Sequence, residues 1–162
     1  MVDRMSVVYF TGFETADFGE VVSAAAAAIT TAAARTGVFG IACTGGATTL
    51  VDGLGLKTHC FRGYYKYQQN TAGINNIVTN GLFAVQANSA ANTLRVSDTG
   101  GSAGLTTSTS SIGMTKGQSY RIQFIVDTTA GGIVQVLIDD TLAINTTHSN
   151  SAVDTSKFTL RG

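Results

Sequence analysis

The sequence predicts an all-β protein, an antiparallel two-sheet β-sandwich, formed by a single domain over residues 1–162. Apolar and polar residues alternate with period two through much of the chain, which is typical of half-buried strands. Gly, Ser, Thr and Asn clusters separate these segments at short intervals, and no alternation of strands with helices appears. These observations favour two sheets that bury their facing sides against each other.

The clearest predicted unit is a hairpin that begins at Ser119 and ends at Asp139-Asp140. Polar Arg121 and Gln123 alternate with apolar residues, and a Gly-containing turn over 128–132 joins the two strands. One inner face is predicted to hold Tyr120, Ile122, Phe124, Val126, Val134, Val136 and Ile138.

A second hairpin is predicted to pair 82–86 with 93–97 across a turn over 88–92, where Asn and Ser can bond the local backbone. The Gly/Ser/Thr tract from Thr99 to Ser111 is expected to be a long exposed loop. From Ala24 to Ala34 the many alanines favour a helix by propensity. Thr30, Thr31 and the absence of an apolar stripe instead favour a strand or an extended segment, which is the preferred prediction. Further strands are predicted at Val7–Phe13, Val38–Cys43, His59–Gln68, Ile74–Thr79 and Phe158–Arg161.

The composition indicates a polar surface with little charge. Ten basic and ten acidic residues give a formal net charge of +0, the charged fraction is 12% and the mean hydropathy is +0.21. This balance offers no electrostatic basis for binding nucleic acid or an anionic membrane. Met1 to Phe10 lacks the apolar run of a signal peptide, and no segment reaches the roughly 20 apolar residues of a membrane span, so synthesis in the cytoplasm is expected.

Two cysteines, Cys43 and Cys60, fall on predicted neighbouring strands. A disulfide between them is conceivable, but buried free thiols are the usual state in a cytoplasmically made protein. His59 lies beside Cys60, yet no CxxC or HxxxH spacing supports a metal site.

Several short motifs, taken in order, resemble the concanavalin A-like or laminin-G-like jelly-roll domains of phage virion proteins and carbohydrate-binding modules. The motifs are Tyr9-Phe10-Thr11-Gly12-Phe13-Glu14, Ala34-Arg35-Thr36-Gly37, Lys116-Gly117-Gln118-Ser119-Tyr120-Arg121-Ile122, Val126-Asp127 and Val136-Leu137-Ile138-Asp139-Asp140. The resemblance implies the fold better than any function. It also implies a closing strand after Gly162, so either that strand is missing or a partner supplies the neighbour of the N-terminal strand.

Catalytic constellations are not recognisable in the sequence, and no cofactor is expected. Glycosidases need two converging carboxyl groups, but the glutamates, Glu14 and Glu20, both lie near the N-terminus. Asp139-Asp140 is expected to form a turn, because consecutive strand residues point to opposite faces. Oxygen ligands for a structural calcium are available at strand ends, at Asp98, Asp127, Asp139 and Asp154, without a dense cluster.

The candidate binding surface is the aromatic and basic segment that contains Arg62, Tyr64 and Lys66. Alternation places these three on one face, and Phe61, Tyr65 and Tyr67 on the other, so one set is expected to face solvent. An exposed Tyr between two cations suits stacking on a sugar or anchoring a protein contact. Ordinary cross-strand packing is the competing interpretation.

The function predicted from these observations is non-enzymatic: a structural protein of a phage virion, foremost a capsid decoration or cement protein that binds the major capsid protein. The alternative is a carbohydrate-binding module or lectin-like tail or fibre adhesin with a glycan partner. Homo-oligomerisation or assembly into a lattice is expected, because the chain has no proline and few lysines to protect its sheet edges.

Overall fold

The structure is a computed structural model that describes residues 23–24, 27–30, 40–43, 47–51, 58–67, 73–99, 104–105, 107–149 and 158–161. These residues form strands and connections, and they include no helix long and apolar enough to cross a bilayer. The strands are β1 (Ser23–Ala24), β2 (Ala27–Thr30), β3 (Gly40–Cys43), β4 (Ala47–Val51), β5 (Thr58–Lys66), β6 (Ile74–Thr79), β7 (Phe83–Asn88), β8 (Thr93–Asp98), β9 (Ser108–Gly113), β10 (Ser119–Asp127), β11 (Ile133–Ile138), β12 (Thr141–Thr147) and β13 (Phe158–Arg161).

The fold is an all-β antiparallel two-sheet sandwich, as the sequence predicts. One sheet has seven strands in the order β1-β4-β13-β6-β7-β8-β9, and the other has four in the order β12-β11-β10-β5. Strands β2 and β3 form a separate two-stranded ribbon. The β9 edge of the larger sheet contacts the β12 edge of the smaller one, which brings the two sheets together along that side.

The β10–β11 hairpin confirms the predicted register. Phe124 lies opposite Val136, and Val126 lies opposite Val134. Every predicted inner-face residue of the hairpin is buried except Tyr120, which is half-buried and packs against the core. In the connecting turn, Gly131 has a φ of 75°, and a Cβ on Gly132 would lie 2.2 Å from the carbonyl oxygen of Asp127. Glycine is therefore required at both positions.

The core lies between the inner faces of the two large sheets. Phe83, Val85 and Leu94 of the seven-stranded sheet share it with Phe124 and Val136 of the four-stranded sheet. Full burial of such side chains contributes about 1.5–3 kcal/mol each. The alternation of the sequence thus fixes which face of each strand supplies this core, and it leaves the opposite faces available for function.

The second predicted hairpin, β7–β8, is also confirmed. The hydroxyl of the turn residue Ser89 accepts a hydrogen bond from the Gly73 amide at 2.7 Å and donates to the Gly73 carbonyl oxygen at 2.8 Å. The side chain therefore ties the turn to the start of β6.

The other predicted strands are confirmed wherever the structure describes them, except that β5 ends at Lys66, before the predicted end of that strand. Within Ala24 to Ala34, residue 24 and residues 27–30 are extended, as preferred over helix. Val7–Phe13, Glu14, Glu20, the two N-terminal motifs of the resemblance, Asp154 and the His59 side chain lie outside the described residues.

Two sequence predictions are wrong. Ser108–Ser111 does not belong to an exposed loop but opens β9, where it pairs with β8 and places Ser110 in the interior. Cys43 and Cys60 do not lie on neighbouring strands of one sheet, because β3 pairs with β2 whereas β5 pairs with β10. Cys60 carries a free thiol.

Candidate functional site

Strand β5 divides its side chains between the core and the solvent as the sequence predicts. Arg62, Tyr64 and Lys66 are exposed, and Tyr64 retains 52% of its accessible surface. We call these three residues the outer platform. On the opposite face, Phe61, Tyr65 and Tyr67 pack against the core. The outer platform is therefore accessible to a partner, and its role in binding stays a prediction.

The buried end of β5 is held firmly by Tyr67. Its hydroxyl donates to Oδ1 of Asn92 at 3.1 Å, and its amide donates to the Gln118 carbonyl oxygen at 2.9 Å. The Gly117 amide in turn donates to the Tyr67 carbonyl oxygen at 2.8 Å. Because the side chain of Tyr67 is buried and the residue forms three hydrogen bonds, two of them through its backbone, Lys66 and Tyr64 project from a fixed backbone.

Hydrogen bonds connect the outer platform to β10 and to the β11–β12 turn. Arg62 Nη2 donates to Oε1 of Gln123 at 3.2 Å, and Gln123 Nε2 donates to Oδ1 of Asp140 at 2.7 Å. Arg121, opposite Tyr64 in the sheet, forms an ion pair with Asp140. Both partners of that pair are solvent-accessible, so it positions side chains more than it stabilises the fold.

The outer face becomes apolar toward β12. Leu137 follows Gln123 across the sheet, and Leu142, paired with Leu137, is 49% exposed. Ile133 is exposed at the start of β11, the strand that also contains Leu137. The four-stranded sheet therefore presents basic and aromatic side chains at β5 and exposed apolar side chains on β11 and β12.

Burial disfavours ionisation of three groups on and directly after β5, namely Cys60, Tyr65 and Tyr67. Burial raises the pKa of the Cys60 thiol, an effect that the charge of Arg62 partly opposes. Burial also raises the pKa of Tyr65 and of Tyr67. A raised pKa keeps these groups protonated near neutral pH, so they are poor nucleophiles and poor bases.

The adjacent acidic pair forms a turn, as predicted. Asp139 and Asp140 both have positive φ, 48° and 67°, and they join β11 to β12 in a two-residue hairpin connection. Positive φ at both central positions is the requirement of a type I′ turn. Oδ1 of Asp139 accepts from the Arg121 amide at 2.8 Å, so this carboxylate serves the turn.

The predicted calcium candidates do not converge in the part of the chain that the structure describes. Asp127 accepts from the amide and the hydroxyl of Thr129, at 2.9 and 2.7 Å, in the β10–β11 turn. Within these residues no three His, Cys, Asp or Glu side chains gather in a group that could hold a metal ion. Asp98 instead lines a cavity on the other sheet.

This cavity lies on the outer face of the seven-stranded sheet and has a volume of about 390 Å³, within the range of about 300–1,000 Å³ typical of ligand pockets. Its described lining is Asn76, Thr79, Gly81, Gln86, Asp98, Thr99 and Thr159. We call it the polar cavity. Sequence reasoning missed it, because its residues come from separate strands and loops and carry no recognisable motif.

Sheet register explains how the polar cavity forms. Gln86 of β7 lies between Asn76 of β6 and Arg95 of β8, while Thr79 lies between Thr159 of β13 and Ala84 of β7. Thr79 and Thr159 are buried although they point away from the core. Small hydroxyl residues and longer amide side chains therefore share this face of the sheet.

Comparison of the chain with protein-family models, curated proteins and solved structures finds no match. The likeness to concanavalin A-like domains consequently rests on the order of the sequence motifs. The structure supports the coarser statement, an antiparallel β-sandwich compatible with a jelly roll.

Proposed function

We propose that this chain is a non-enzymatic structural protein of a phage virion, foremost a capsid decoration or cement protein that binds the major capsid protein. The observation that carries the proposal is the outer platform, where an exposed Tyr64 lies between two cations on strand β5. Tyr and Arg are enriched at the energetic centres of protein interfaces.

The wider face supports the same role. The exposed Leu142 and Ile133 give the four-stranded sheet apolar contact area beside the platform. An interface with an apolar portion and a polar, hydrogen-bonding margin is the usual arrangement of specific complexes. A partner that offers acidic or carbonyl groups to Arg62 and Lys66 would fit this face.

Co-purification tests the proposal. In particles purified from the phage that encodes the chain, the protein should be present in stoichiometric amounts with the major capsid protein. Recombinant protein should rebind particles that have been stripped of it. Tyr64→Ala should weaken rebinding by about 30-fold, which corresponds to a loss of about 2 kcal/mol at an interface hot spot.

Thr109→Ala is the control, since Thr109 is exposed but lies on β9 of the seven-stranded sheet, away from the outer platform and its apolar neighbours. It should rebind like the unmodified protein. Sedimentation of the isolated protein adds a second readout. A stable monomer that fails to bind particles would refute the decoration role.

A lectin-like adhesin is the second candidate, and the exposed ring of Tyr64 specifically favours it. An aromatic ring flanked by hydrogen-bonding side chains can stack on the apolar face of a sugar. A glycan array separates the two functions: saccharide binding that Tyr64→Ala abolishes, together with no affinity for capsids, would select the adhesin.

A further inference from the structure

We propose that the outer face of the four-stranded sheet binds an extended protein segment in which a carboxylate and an apolar side chain lie about four residues apart. This inference rests on the proposed contact with a virion protein and names the chemistry of the segment that makes the contact. It is carried by side chains that follow one another across the sheet, which we call the docking row. The docking row consists of Arg62 of β5, Gln123 of β10, Leu137 of β11 and Leu142 of β12.

Strand register places the docking row in one line. Arg62 pairs with Gln123, Gln123 pairs with Leu137, and Leu137 pairs with Leu142. Arg62 and Leu142 are exposed, whereas Gln123 between them is 6% exposed. Neighbouring strands lie about 4.8 Å apart, so the cation and the last leucine are separated by about 14 Å. The row therefore has a charged end and an apolar end at a fixed separation.

Gln123 fixes the charged end of the docking row. Its Oε1 accepts from Arg62 Nη2 at 3.2 Å, and its Nε2 donates to Oδ1 of Asp140 at 2.7 Å. Asp140 also forms an ion pair with Arg121, which holds this carboxylate in place. Because both polar atoms of the Gln123 amide are engaged, Arg62 is oriented before a partner arrives. Such preorganisation lowers the entropic cost of binding.

Arg62 keeps hydrogen-bonding capacity for a partner. A guanidinium offers a planar fork of several N–H donors, and the bond to Gln123 uses one of them. The neighbouring carboxylate of Asp140 forms its ion pair with Arg121. Within the part of the chain that the structure describes, no carboxylate forms an ion pair with Arg62. A carboxylate of the partner can therefore bind Arg62 through the bidentate geometry that suits a guanidinium.

The apolar end of the docking row limits which anion fits. Leu142 retains 49% of its accessible surface, and a partner that covers the row from Leu142 onward also removes water from Arg62. A desolvated cation without a counter-charge is costly, so a purely apolar partner fits poorly. Phosphate or nucleic acid would pair with Arg62 but would leave Leu137 and Leu142 without an apolar contact. An anionic membrane is recognised by clusters of about 4–8 Lys or Arg, whereas β5 presents Arg62 and Lys66.

A protein segment satisfies both ends of the docking row. An extended chain rises about 3.3 Å per residue, so about four residues separate a carboxylate over Arg62 from an apolar side chain over Leu142. Residues at this spacing point to the same side of an extended chain, and both can therefore face the sheet. Lys66 is exposed on the same face, and its charge adds to the attraction for an acidic segment.

The test is an NMR titration of the isotopically labelled full chain with the synthetic peptide acetyl-Gly-Glu-Ser-Thr-Ser-Leu-Gly-amide. The peptide should bind with a Kd of about 1 mM or tighter. It should shift the side-chain amide signals of Gln123 and the backbone amide signal of Leu142. Peptides with Gln in place of Glu, or Ser in place of Leu, should bind at least about tenfold more weakly, the effect of losing about 1.4 kcal/mol. Added salt should also weaken binding, because it screens the carboxylate from Arg62.

Variants of the protein test the same contacts from the other side. Arg62→Gln and Leu142→Ser should each weaken binding of the peptide at least about tenfold. Thr109→Ala is the control and should bind the peptide unchanged, since Thr109 is exposed on β9 of the seven-stranded sheet. Arg62→Met or Leu142→Ala replaces the corresponding variant if circular dichroism shows that it is unfolded.

The outcomes separate this inference from the decoration role. If Arg62→Gln and Leu142→Ser rebind stripped particles like the unmodified protein, the proposed segment is wrong and the decoration role stands. If the peptide binds as expected and particles do not, the docking row is supported and the decoration role is wrong. The inference is overturned if the peptide shifts no signal of the row, if the two altered peptides bind equally well, or if only phosphatidylserine vesicles or inorganic phosphate bind.

Discussion

Replacing Phe124 with alanine tests whether the inner face of the β10–β11 hairpin holds the sandwich together. Phe124 has 0% exposed surface and lies between Phe61 of β5 and Val136 of β11. Neighbours on both strands and in the facing sheet prevent the site from collapsing after truncation. Removal of a buried Phe ring costs about 3–5 kcal/mol, from lost transfer free energy and from the cavity left behind.

Urea and thermal unfolding measure this loss. In a domain of this size 1 kcal/mol corresponds to about 2–4 °C, so Tm should fall by about 6–20 °C. The urea midpoint should fall while the slope of the unfolding free energy with urea stays constant, since the surface exposed on unfolding hardly changes.

Tyr64→Ala is the matched control, because it truncates an aromatic residue on the outer face of the neighbouring strand. With half of its surface in solvent, Tyr64 should contribute about 1 kcal/mol or less to stability. If Phe124→Ala cost no more than this control, Phe124 would belong to the surface or to an interface, and the assigned register would be wrong.

Three further predictions concern buried polar groups. Burial raises the pKa of Tyr65 and Tyr67, so the folded state favours their protonated forms. The free energy of unfolding should therefore decrease as the pH rises above about 10, where tyrosines ionise in the unfolded chain. Urea unfolding measured as a function of pH should show a smaller decrease for Tyr67→Phe. In a Cys43→Ser background, Cys60 should react with iodoacetamide at pH 8 more slowly than free cysteine does, and equal rates in folded and urea-unfolded protein would contradict its burial. Asn80 is fully buried, and its Oδ1 accepts hydrogen bonds from two backbone amides, at 2.9 and 3.1 Å. Asn80→Ala should therefore lower the free energy of unfolding by about 2–4 kcal/mol. An unchanged urea midpoint would show that those amides find other partners.

The sequence predicts β10 and β11 well because their alternation is strict and their connection requires glycine. It fails at β12, where the register shifts between Val136 and Leu137, and the consecutive residues Ala143 and Ile144 are both buried. Such an irregularity breaks the period of two on which strand prediction depends. Strand β9 is missed for another reason, since its Ser and Thr residues resemble a loop and only pairing with β8 fixes them as a strand.

The two candidate sites also differ in how well the sequence predicts them. The outer platform is predictable, because Arg62, Tyr64 and Lys66 belong to one strand and follow its period. The polar cavity is not predictable, because strand order brings Thr159 of β13 beside Thr79 of β6. Sequence periodicity determines the face of a residue, whereas the order of strands determines its neighbours.

The two outer faces are suited to different partners because their side chains differ in length and exposure. Arg62 and Lys66 extend from the surface into solvent, where they can adapt to a large partner. Thr79 and Ser97 are short and buried, and a large partner cannot reach them. Both faces are supported by the same core, so a substitution on one face that leaves the core intact should leave the other face unchanged. The proposed macromolecular contact at the outer platform should therefore be removable by substitution without disturbing the seven-stranded sheet.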